Sequence, residues 1–500
     1  MHKTVGKNKI LLFFPKLEPQ NNVPIQKAWE PLSIVALSSQ LISSGYSVEI
    51  FDSRVDKGFE ERLNLIAKDL LFIGVSAMSG YQVVDGLRFS KFAKMAFPYI
   101  PIVWGGWHPT LFPDQTLQNA NIDMVIKGQG ESTILELANA LNAGKSLNLI
   151  KGLYYKSPEG INKNPDKPLE DMNNFAPRNY DLLDVSKYTL ASGHLHYQSN
   201  VGCPFRCSFC GVTSYFHQRY NGLTPDRVIQ ELKTLNDKYN IKHITFYDSL
   251  FFININRSKD ILRGIIQSGL SITWDASTRI DLVLKFDDET YELIKKSGCH
   301  HLSLGIESGS QRLLKLFRKD ITPEKTRKAL EDLASHSVTV YTNYIIAPPT
   351  ETKQEFWETL NSMKQVANLS PKNKLVLYRY TPIPGTDIYE LEKQSKTIGK
   401  FPESLDDWEW FYPRVLSGSS IYLSADDEFK RARILFYFHT AFLSNIKIQA
   451  HEGWKSIYFF PIWVLAKFRC NHKLFSFPIE WHAYKIYKSI REKRFRLKRH

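Results

Sequence analysis

The chain has little cysteine, with five residues among 500. So few thiols in so long a chain exclude a disulfide-stapled secreted scaffold. The chain also lacks the roughly 18 consecutive apolar residues of a membrane-spanning helix. The longest candidate, IYFFPIWVLAKF, is too short and carries Pro461. The N-terminal apolar run ends at Pro15 without a small-residue cleavage site, so we interpret it as a strand rather than a signal peptide. These absences predict a cytoplasmic protein whose thiols stay reduced and can bind metals.

Acidic residues are scarce at the C-terminus, where basic residues accumulate. The chain has a formal net charge of +14, and the stretch KIYKSIREKRFRLKRH from Lys485 holds eight Lys or Arg against one Glu. Such a tail is compatible with a solvated helix end, with contact to an acidic membrane surface, or with nucleic-acid binding. We expect a weak membrane-surface contact at most, which makes the protein cytoplasmic or peripheral to the membrane, and no nucleic-acid partner.

The first part of the chain alternates short apolar runs with helical segments. KILLFFP, SVEIFDS, LLFIGVSAM and IPIVWGGWHP are typical of strands, and PLSIVALSSQLISSGY and STILELANALNAG are typical of helices. This alternation predicts a doubly wound parallel sheet over residues 8–150. Ligands of such sheets bind at the carboxyl ends of the strands. Those ends, FDSR, VSAMSG and WGGWHP, are rich in Gly, Ser and Asp.

A second strand–helix series follows a segment with weak periodicity. Residues 151–190 contain SPEG, NKNPDKP and FAPRNYD and are predicted to form a linker, which can include a short hairpin. Six strand-like runs over residues 191–395 predict a partial (β/α)6 TIM-like barrel. Residues 396–500 are aromatic and basic and are expected to form a helical C-terminal region. The predicted fold class is therefore α/β, with two successive βα domains.

Three of the five cysteines lie in one loop. In VGCPFRCSFC, Cys203, Cys207 and Cys210 have the spacing Cys-x3-Cys-x2-Cys and follow the first predicted barrel strand. A closed structural zinc site takes four protein ligands, whereas three thiolates without a nearby His favour an iron–sulfur cluster with one open iron. A zinc loop or a disulfide loop is the alternative. Cys299 and Cys470 are isolated and are expected to be buried small hydrophobic residues.

The cysteine loop resembles the signature of the radical S-adenosylmethionine (SAM) superfamily, in which an aromatic residue, here Phe209, precedes the last cysteine. The resemblance implies that the three cysteines hold a [4Fe–4S] cluster whose open iron chelates SAM. It also implies reductive cleavage of SAM to methionine and a 5′-deoxyadenosyl radical, with an electron donor such as flavodoxin or ferredoxin.

Other strand ends of the second series also resemble this superfamily. FYDSLFF is similar to an Asp-Asp-x-Phe variant of a SAM-binding motif, with Ser249 at the second Asp, and STRID and LGIESGSQ follow at the next two strands. The resemblance implies SAM contacts from Phe209, Asp248, Arg279, Glu307 and Ser308. A carboxylate there can accept hydrogen bonds from ribose hydroxyls or the SAM ammonium group. The alternative is a salt bridge between Glu307 and Arg279 that only orders the mouth of the barrel.

The first domain resembles the cobalamin-binding domain that many radical SAM enzymes carry. The resemblance covers nearly all of residues 8–145 and includes GGWHPT from Gly105 and GQGE from Gly128. It implies cobalamin contacts from six residues: Ser76, Gly105, Gly106, His108, Gly128 and Glu131. Arg54 stands where relatives with the motif Asp-x-His-x-x-Gly supply a His ligand to cobalt, so we do not expect His ligation. A degenerate domain that binds no cofactor, or one that binds substrate, is the alternative.

Together these resemblances imply a cobalamin-dependent radical SAM enzyme, with methylation of an unactivated carbon as the first hypothesis. The chain also resembles the anaerobic magnesium-protoporphyrin ester cyclases, so oxidative cyclisation or rearrangement without methyl transfer is the second. A cobalamin- or iron–sulfur-binding protein without catalysis is the third. The substrate is expected to be a small or lipid-like molecule. The aromatic C-terminal region either caps the barrel over that molecule or packs as ordinary helices.

Overall fold

The structure of the chain, a computed structural model, describes residues 7–19, 28–395, 400–416, 423–443, 456–476 and 478–482. The basic tail from Lys485 lies outside these residues. The chain divides into two compact units. The first consists of Met1–Ile306, Gln311–Thr339 and Thr381–Ser417, and the second of Glu307–Ser310, Val340–Tyr380 and Gly418–His500.

A seven-stranded sheet opens the first unit. Its strands are β1 (Lys9–Phe14), β2 (Ser47–Asp52), β3 (Leu70–Ser76), β4 (Ile102–Gly105), β5 (Met124–Ile126), β6 (Leu153–Ser157) and β7 (Gly160–Lys163). They are ordered β2-β1-β3-β4-β5-β6-β7. The first five strands are parallel, and β6 and β7 form an antiparallel hairpin against β5. The strand order reverses between β1 and β3, which is where a doubly wound sheet leaves a crevice for a ligand.

Six helices connect and follow these strands: α1 (Leu32–Ser43), α2 (Phe59–Ile66), α3 (Tyr81–Ala96), α4 (Trp107–Leu111), α5 (Pro113–Gln118) and α6 (Glu131–Ala143). The central strand β3, LLFIGVS, is buried over its first six residues. A strand with both faces covered by helices reads as a continuous apolar run, whereas a half-exposed strand alternates. The apolar composition of β3 therefore places it at the centre of this layered core.

The second βα series continues the first unit. Its strands are β8 (His194–Tyr197), β9 (Asn200–Gly202), β10 (Tyr220–Gly222), β11 (His243–Phe246), β12 (Thr273–Thr278) and β13 (Cys299–Glu307). Strands β8, β11, β12 and β13 lie side by side in that order and are parallel. The short strands β9 and β10 pair antiparallel. The helices are α7 (Gly211–Phe216), α8 (Pro225–Tyr239), α9 (Ile255–Gln267), α10 (Ile280–Val283), α11 (Asp288–Lys296), α12 (Gln311–Leu316) and α13 (Pro323–Ser335).

The second unit adds two more parallel strands, β14 (Val340–Ile346) and β15 (Lys374–Arg379), with helix α14 (Lys353–Leu369) between them in sequence. The chain then forms α15 (Asp387–Ser395) and α16 (Trp408–Leu416), which belong to the first unit. The second unit resumes with α17 (Ala425–Phe438), a π-helix (His439–Leu443) and α18 (Ser456–His472). The described residues of the C-terminal region are mainly helical, as predicted.

The predicted fold class is confirmed: the chain is α/β, with a doubly wound sheet, a second parallel βα series and a helical C-terminal region. Residues 153–163, which the sequence assigned to a linker, form the hairpin at the edge of the first sheet. Cys299, the first residue of β13, and Cys470, near the end of α18, are half-buried rather than buried. Among the described residues, no helix combines the length and apolar content needed to span a bilayer.

Candidate functional site

The cysteine loop begins directly after β9. Gly202, the last residue of β9, has a φ of 78°, a left-handed value that glycine adopts at low cost. Cys207 is buried, Cys203 and Cys210 are half-buried, and all three are free thiols. The backbone N–H of Cys210 donates to the carbonyl of Cys207 at 3.2 Å, so a turn holds these two residues together.

The three thiols are close enough to influence one another electrostatically. Burial, and secondarily the neighbouring Cys210 and Cys207, raise the pKa of Cys203 to about 11. Burial also raises the pKa of Cys210. Buried thiols with raised pKa values ionise at neutral pH only when positive charge compensates them, as bound metal does. Their arrangement therefore suits a metal cluster.

In the part of the chain that the structure describes, no group of three or more His, Cys, Asp or Glu side chains is placed to hold a metal ion.

Arg279 reaches the cysteine loop from the end of β12. Its guanidinium donates to Cys207 Sγ at 3.2 Å and to the carbonyl of Lys319 at 2.7 Å. It also pairs with Asp281 at 2.8 Å and stacks over the ring of Phe205 at 3.8 Å. The side chain is 3% exposed. Arg279, predicted as a SAM contact, is thus fixed against the sulfur of Cys207.

Asp248, predicted as a SAM contact, packs against the start of β9, the strand that leads into the cysteine loop. Its carboxylate accepts hydrogen bonds from the backbone N–H groups of Ser199 and Asn200 at 2.6 and 2.9 Å. It also accepts from the Ser199 hydroxyl at 2.6 Å and the Asn200 amide at 2.7 Å. Burial raises the pKa of Asp248. Its described role is to anchor β9, and SAM contact stays a prediction.

The remaining predicted SAM contacts occupy two places. Phe209 is half-buried, and its ring meets that of Phe317 edge to face at 5.1 Å. Glu307 and Ser308 are buried in the second unit. Glu307 has a φ of 68°, and the hydroxyls of Ser308 and Thr359 are hydrogen-bonded at 3.0 Å. A left-handed carboxylate residue at a strand end is a strained position of the kind found at ligand sites.

A cavity of about 280 Å³ opens at the carboxyl edge of the first sheet. It spans the ends of β1, β3, β4 and β5, including the point between β1 and β3 where the strand order reverses. Five of the six predicted cobalamin contacts line it: Ser76, Gly105, Gly106, Gly128 and Glu131. Aromatic side chains also contribute to its lining: Trp29, Trp107, Tyr215, Phe216 and Tyr247. The structure thus brings together predicted contacts that are up to 55 positions apart in the sequence.

The glycines of this cavity fit a bulky organic cofactor. Gly128 has a φ of 84° and open space within 4 Å where a Cβ would stand. At Gly106, with a φ of 92°, a Cβ would meet the Ala77 carbonyl and the Ser76 hydroxyl at 3.1 Å, so this glycine is needed for close packing of the ends of β3 and β4. Bare backbone lets a ligand approach the strand ends closely. The lining is mainly apolar with a few hydroxyl and amide groups, which suits cobalamin and its nucleotide tail.

His108 is absent from the lining of this cavity. It is fully buried, with its Nδ1 3.1 Å from the Ser79 hydroxyl and its ring edge to face with Trp408 at 5.0 Å. Burial lowers the pKa of His108 to about 3, so the imidazole is neutral. A packing role for this histidine follows from these contacts, and its assignment to cobalamin stays a prediction.

Arg54, for which the sequence predicts no role as a cobalt ligand, is held in place by structural contacts. Its guanidinium pairs with Asp52 at 2.7 Å and donates to the carbonyl of Trp29 at 2.8 Å. The side chain is 3% exposed and stacks over Phe14 at 4.6 Å. An ion pair this buried is disrupted at high cost, so Arg54 fixes the end of β2.

Tyr215 and Trp107 connect the cavity to the cysteine loop. Tyr215 lies on α7, which begins immediately after Cys210, and its hydroxyl donates to the carbonyl of Gly128 at 2.7 Å. Its ring centroid is 4.8 Å from that of Trp107. Trp107 also packs on Gly211, where a Cβ would stand 2.9 Å from the indole. One helix therefore touches both candidate sites, and no motif in the sequence indicates this junction.

Two family models match the chain, one over the cavity of the first sheet and one over the cysteine loop. The B12 binding domain matches residues 22–138, and the radical SAM superfamily matches residues 197–363. An uncharacterized methyltransferase of Pyrococcus horikoshii is 32% identical over 387 residues, which cover 76% of this chain and 82% of the relative. The chain belongs to the cobalamin-dependent radical SAM enzymes. The cofactors of this radical SAM enzyme are a [4Fe–4S] cluster, SAM and cobalamin.

The chain is also similar to a second relative and, in fold, to a solved structure. The anaerobic magnesium-protoporphyrin IX monomethyl ester cyclase of Rubrivivax gelatinosus is 26% identical over 380 residues, covering 72% of this chain and 66% of the cyclase. The cobalamin-dependent SAM radical enzyme OxsB, with aqua-cobalamin and SAM bound, superposes with a TM-score of 0.69 at 17% identity. That match covers 94% of this chain and 76% of OxsB and shows that the two share a fold.

Proposed function

We propose that this radical SAM enzyme is a methyltransferase that acts on an unactivated carbon of a small, largely apolar molecule. The observation that carries the proposal is the junction at α7, where Tyr215 and Trp107 connect the three-cysteine loop to the glycine-lined cavity. A methyltransferase of this class needs a site of radical formation beside a site that holds a methyl carrier. A shared helix keeps such sites at a fixed separation.

In this proposal Cys203, Cys207 and Cys210 hold the cluster, and Arg279 supports the Cys207 sulfur by its hydrogen bond. When bound, the cluster and SAM supply an organic radical, and cobalamin supplies a methyl group. Phe209, Glu307 and Ser308 are proposed to contact SAM.

Cobalamin is proposed to occupy the cavity of the first sheet. Ser76, Gly105, Gly106 and Gly128 would approach its tail, and Glu131 opens helix α6 at the rim. Asp248 and His108 are proposed to act through packing, with Asp248 holding β9 and His108 supporting the loop of Gly105 and Gly106. We propose domain boundaries of 8–150, 151–190, 191–395 and 396–500. The hairpin of residues 153–163 belongs to the second of these segments and pairs with the edge of the first domain's sheet.

We also infer the partners of the reaction. An electron donor such as flavodoxin or ferredoxin is required, because reductive cleavage of SAM consumes one electron per event. The substrate is proposed to be lipid-like, and the enzyme to work at the membrane surface. The exposed apolar side chains of the C-terminal region support this choice.

Anaerobic reconstitution with iron, sulfide and hydroxocobalamin tests the function. With SAM and a strong reductant, we expect both 5′-deoxyadenosine and S-adenosylhomocysteine, because a methyltransferase of this type consumes SAM in two ways. A cyclase, the activity named for the Rubrivivax gelatinosus relative, would yield 5′-deoxyadenosine without S-adenosylhomocysteine. Absence of both products from cluster-loaded protein would refute an enzymatic role.

A further inference from the structure

The guanidinium of Arg279 makes contacts on nearly every side. Its Nε donates to Asp281 at 2.8 Å, its Nη2 to the Lys319 carbonyl at 2.7 Å, and its Nη1 to Cys207 Sγ at 3.2 Å. Nη2 also donates to the second carboxylate oxygen of Asp281 at 3.3 Å, so four of the five N–H groups have acceptors. The ring of Phe205 covers the plane of the guanidinium at 3.8 Å. These contacts place Arg279 to act on the cysteine loop, whereas the sequence predicts that it contacts SAM.

A turn after α12 helps to hold this guanidinium in place. The carbonyl of Lys319, which accepts its hydrogen bond, lies between Arg318 and Asp320, whose φ values are 50° and 56°. Left-handed backbone costs a residue other than glycine about 1–2 kcal/mol. Two such residues in one turn persist only where the surrounding structure holds them. Ser208 of the cysteine loop provides part of this support, because its N–H donates to the Phe317 carbonyl at 3.1 Å. The guanidinium is therefore fixed between the turn and the cysteine loop.

The positive charge of Arg279 lies where water screens it poorly. Arg279 is 3% exposed, and its sulfur partner Cys207 is 9% exposed. Charges interact more strongly where water is excluded, and salt screens buried pairs less than exposed ones. Asp281 neutralises part of the charge, but its side chain is 26% exposed, so solvent weakens its effect. A net positive potential therefore acts at the Cys207 sulfur.

We propose that Arg279 sets the reduction potential of the iron–sulfur cluster through its hydrogen bond to Cys207 and its buried charge. Reduction adds one electron, which the external donor supplies, and hence one unit of negative charge. A hydrogen bond and a positive charge at a ligand sulfur stabilise the reduced form and so raise the potential. The inference deepens the proposed function and rests on its assignment of Cys207 to the cluster. A higher potential makes it easier to deliver the electron that SAM cleavage consumes.

A redox titration of the anaerobically reconstituted enzyme without SAM, followed by electron paramagnetic resonance, tests the inference. Arg279→Gln removes the charge and should lower the ratio of reduced to oxidised cluster at a fixed potential about tenfold, or about 59 mV for a one-electron couple. Arg279→Lys keeps the charge and should shift the potential less. Asp281→Asn removes the neutralising charge and keeps an acceptor oxygen, so it should raise the potential. The control Arg327→Gln removes an exposed arginine that pairs with Glu331 on α13 and should leave the potential unchanged.

The affinity for SAM, measured by calorimetry at equal iron content, separates this role from a SAM contact. Weaker SAM binding with an unchanged potential in Arg279→Gln would overturn the proposal. So would shifts of the same sign in Arg279→Gln and Asp281→Asn. If Arg279→Gln loses its iron, Asp281→Asn decides, and a potential that is unchanged or lowered in that variant refutes the role of Arg279. The potential is measured without turnover, so its failure is distinguishable from failure of the proposed methylation.

Discussion

Replacement of Gly202 by alanine should damage the cluster loop through one close backbone contact. At a φ of 78° an alanine is in the left-handed region, which costs about 1–2 kcal/mol. Its Cβ would also stand 2.1 Å from the carbonyl oxygen of Arg219, which is backbone and cannot rotate away. Moving the backbone at Arg219 to relieve this contact adds about 1–3 kcal/mol. The total, roughly 2–5 kcal/mol, is large against the 5–15 kcal/mol stability of a typical domain.

Gly269 supplies the matched control for this substitution. Its φ of 68° imposes a similar left-handed cost on alanine, yet nothing lies within 4 Å of the position of a Cβ. We therefore expect Gly269→Ala to lower the thermal midpoint modestly and to keep its iron. Gly202→Ala should lower the midpoint further and reduce the iron bound per chain, since Cys203 is the next residue. Both quantities are measured after anaerobic reconstitution. Equal midpoints and equal iron contents in the two variants would refute the steric reasoning.

Three further predictions address individual side chains. Asp248→Ala leaves four donors of Ser199 and Asn200 without their acceptor, so it should lower the free energy of unfolding by about 3 kcal/mol or more. Asp248→Asn keeps one acceptor oxygen and should lower the thermal midpoint less. The reverse order of midpoints would contradict the anchoring role. Between pH 6.5 and about 3 the unfolded chain binds a proton at His108 that the folded chain does not. The free energy of unfolding should therefore fall by about 1.4 kcal/mol for each pH unit of acidification in that window. His108→Leu should flatten this dependence of stability on pH, and an unchanged slope would exclude a buried neutral imidazole. Cys207→Ala should abolish cluster binding by iron analysis, while Cys299→Ala should retain it; iron retained in the Cys207 variant would remove this residue from the ligand set.

The chain's local patterns predict features that depend on neighbours in sequence. Cys203, Cys207 and Cys210 stand within eight residues, and a turn between Cys207 and Cys210 needs only neighbouring backbone groups. The glycines after β4 and β5 follow apolar strand runs, and parallel strands necessarily end at one edge of a sheet. Hence five of the six predicted cobalamin contacts line one cavity.

Long-range packing decides what those patterns leave open. The hairpin at residues 153–163 carries weak strand signals, and it becomes part of the first sheet because β5 offers an unpaired edge. The Asp248 carboxylate accepts hydrogen bonds from residues that stand 48 and 49 positions earlier in the sequence. A sequence motif identifies such a carboxylate but not its partners, because the partners are chosen by strand register.

The sequence alone determined the chemistry of the chain: a cluster loop, a glycine-edged sheet and a basic C-terminus, since each is written in contiguous residues. Only the tertiary structure decided how these parts meet. It packed His108 against Trp408 outside the cavity lining, and it brought Tyr215 to a carbonyl 87 residues earlier. These outcomes depend on which surfaces bury each other, and burial is a property of the whole fold rather than of any segment.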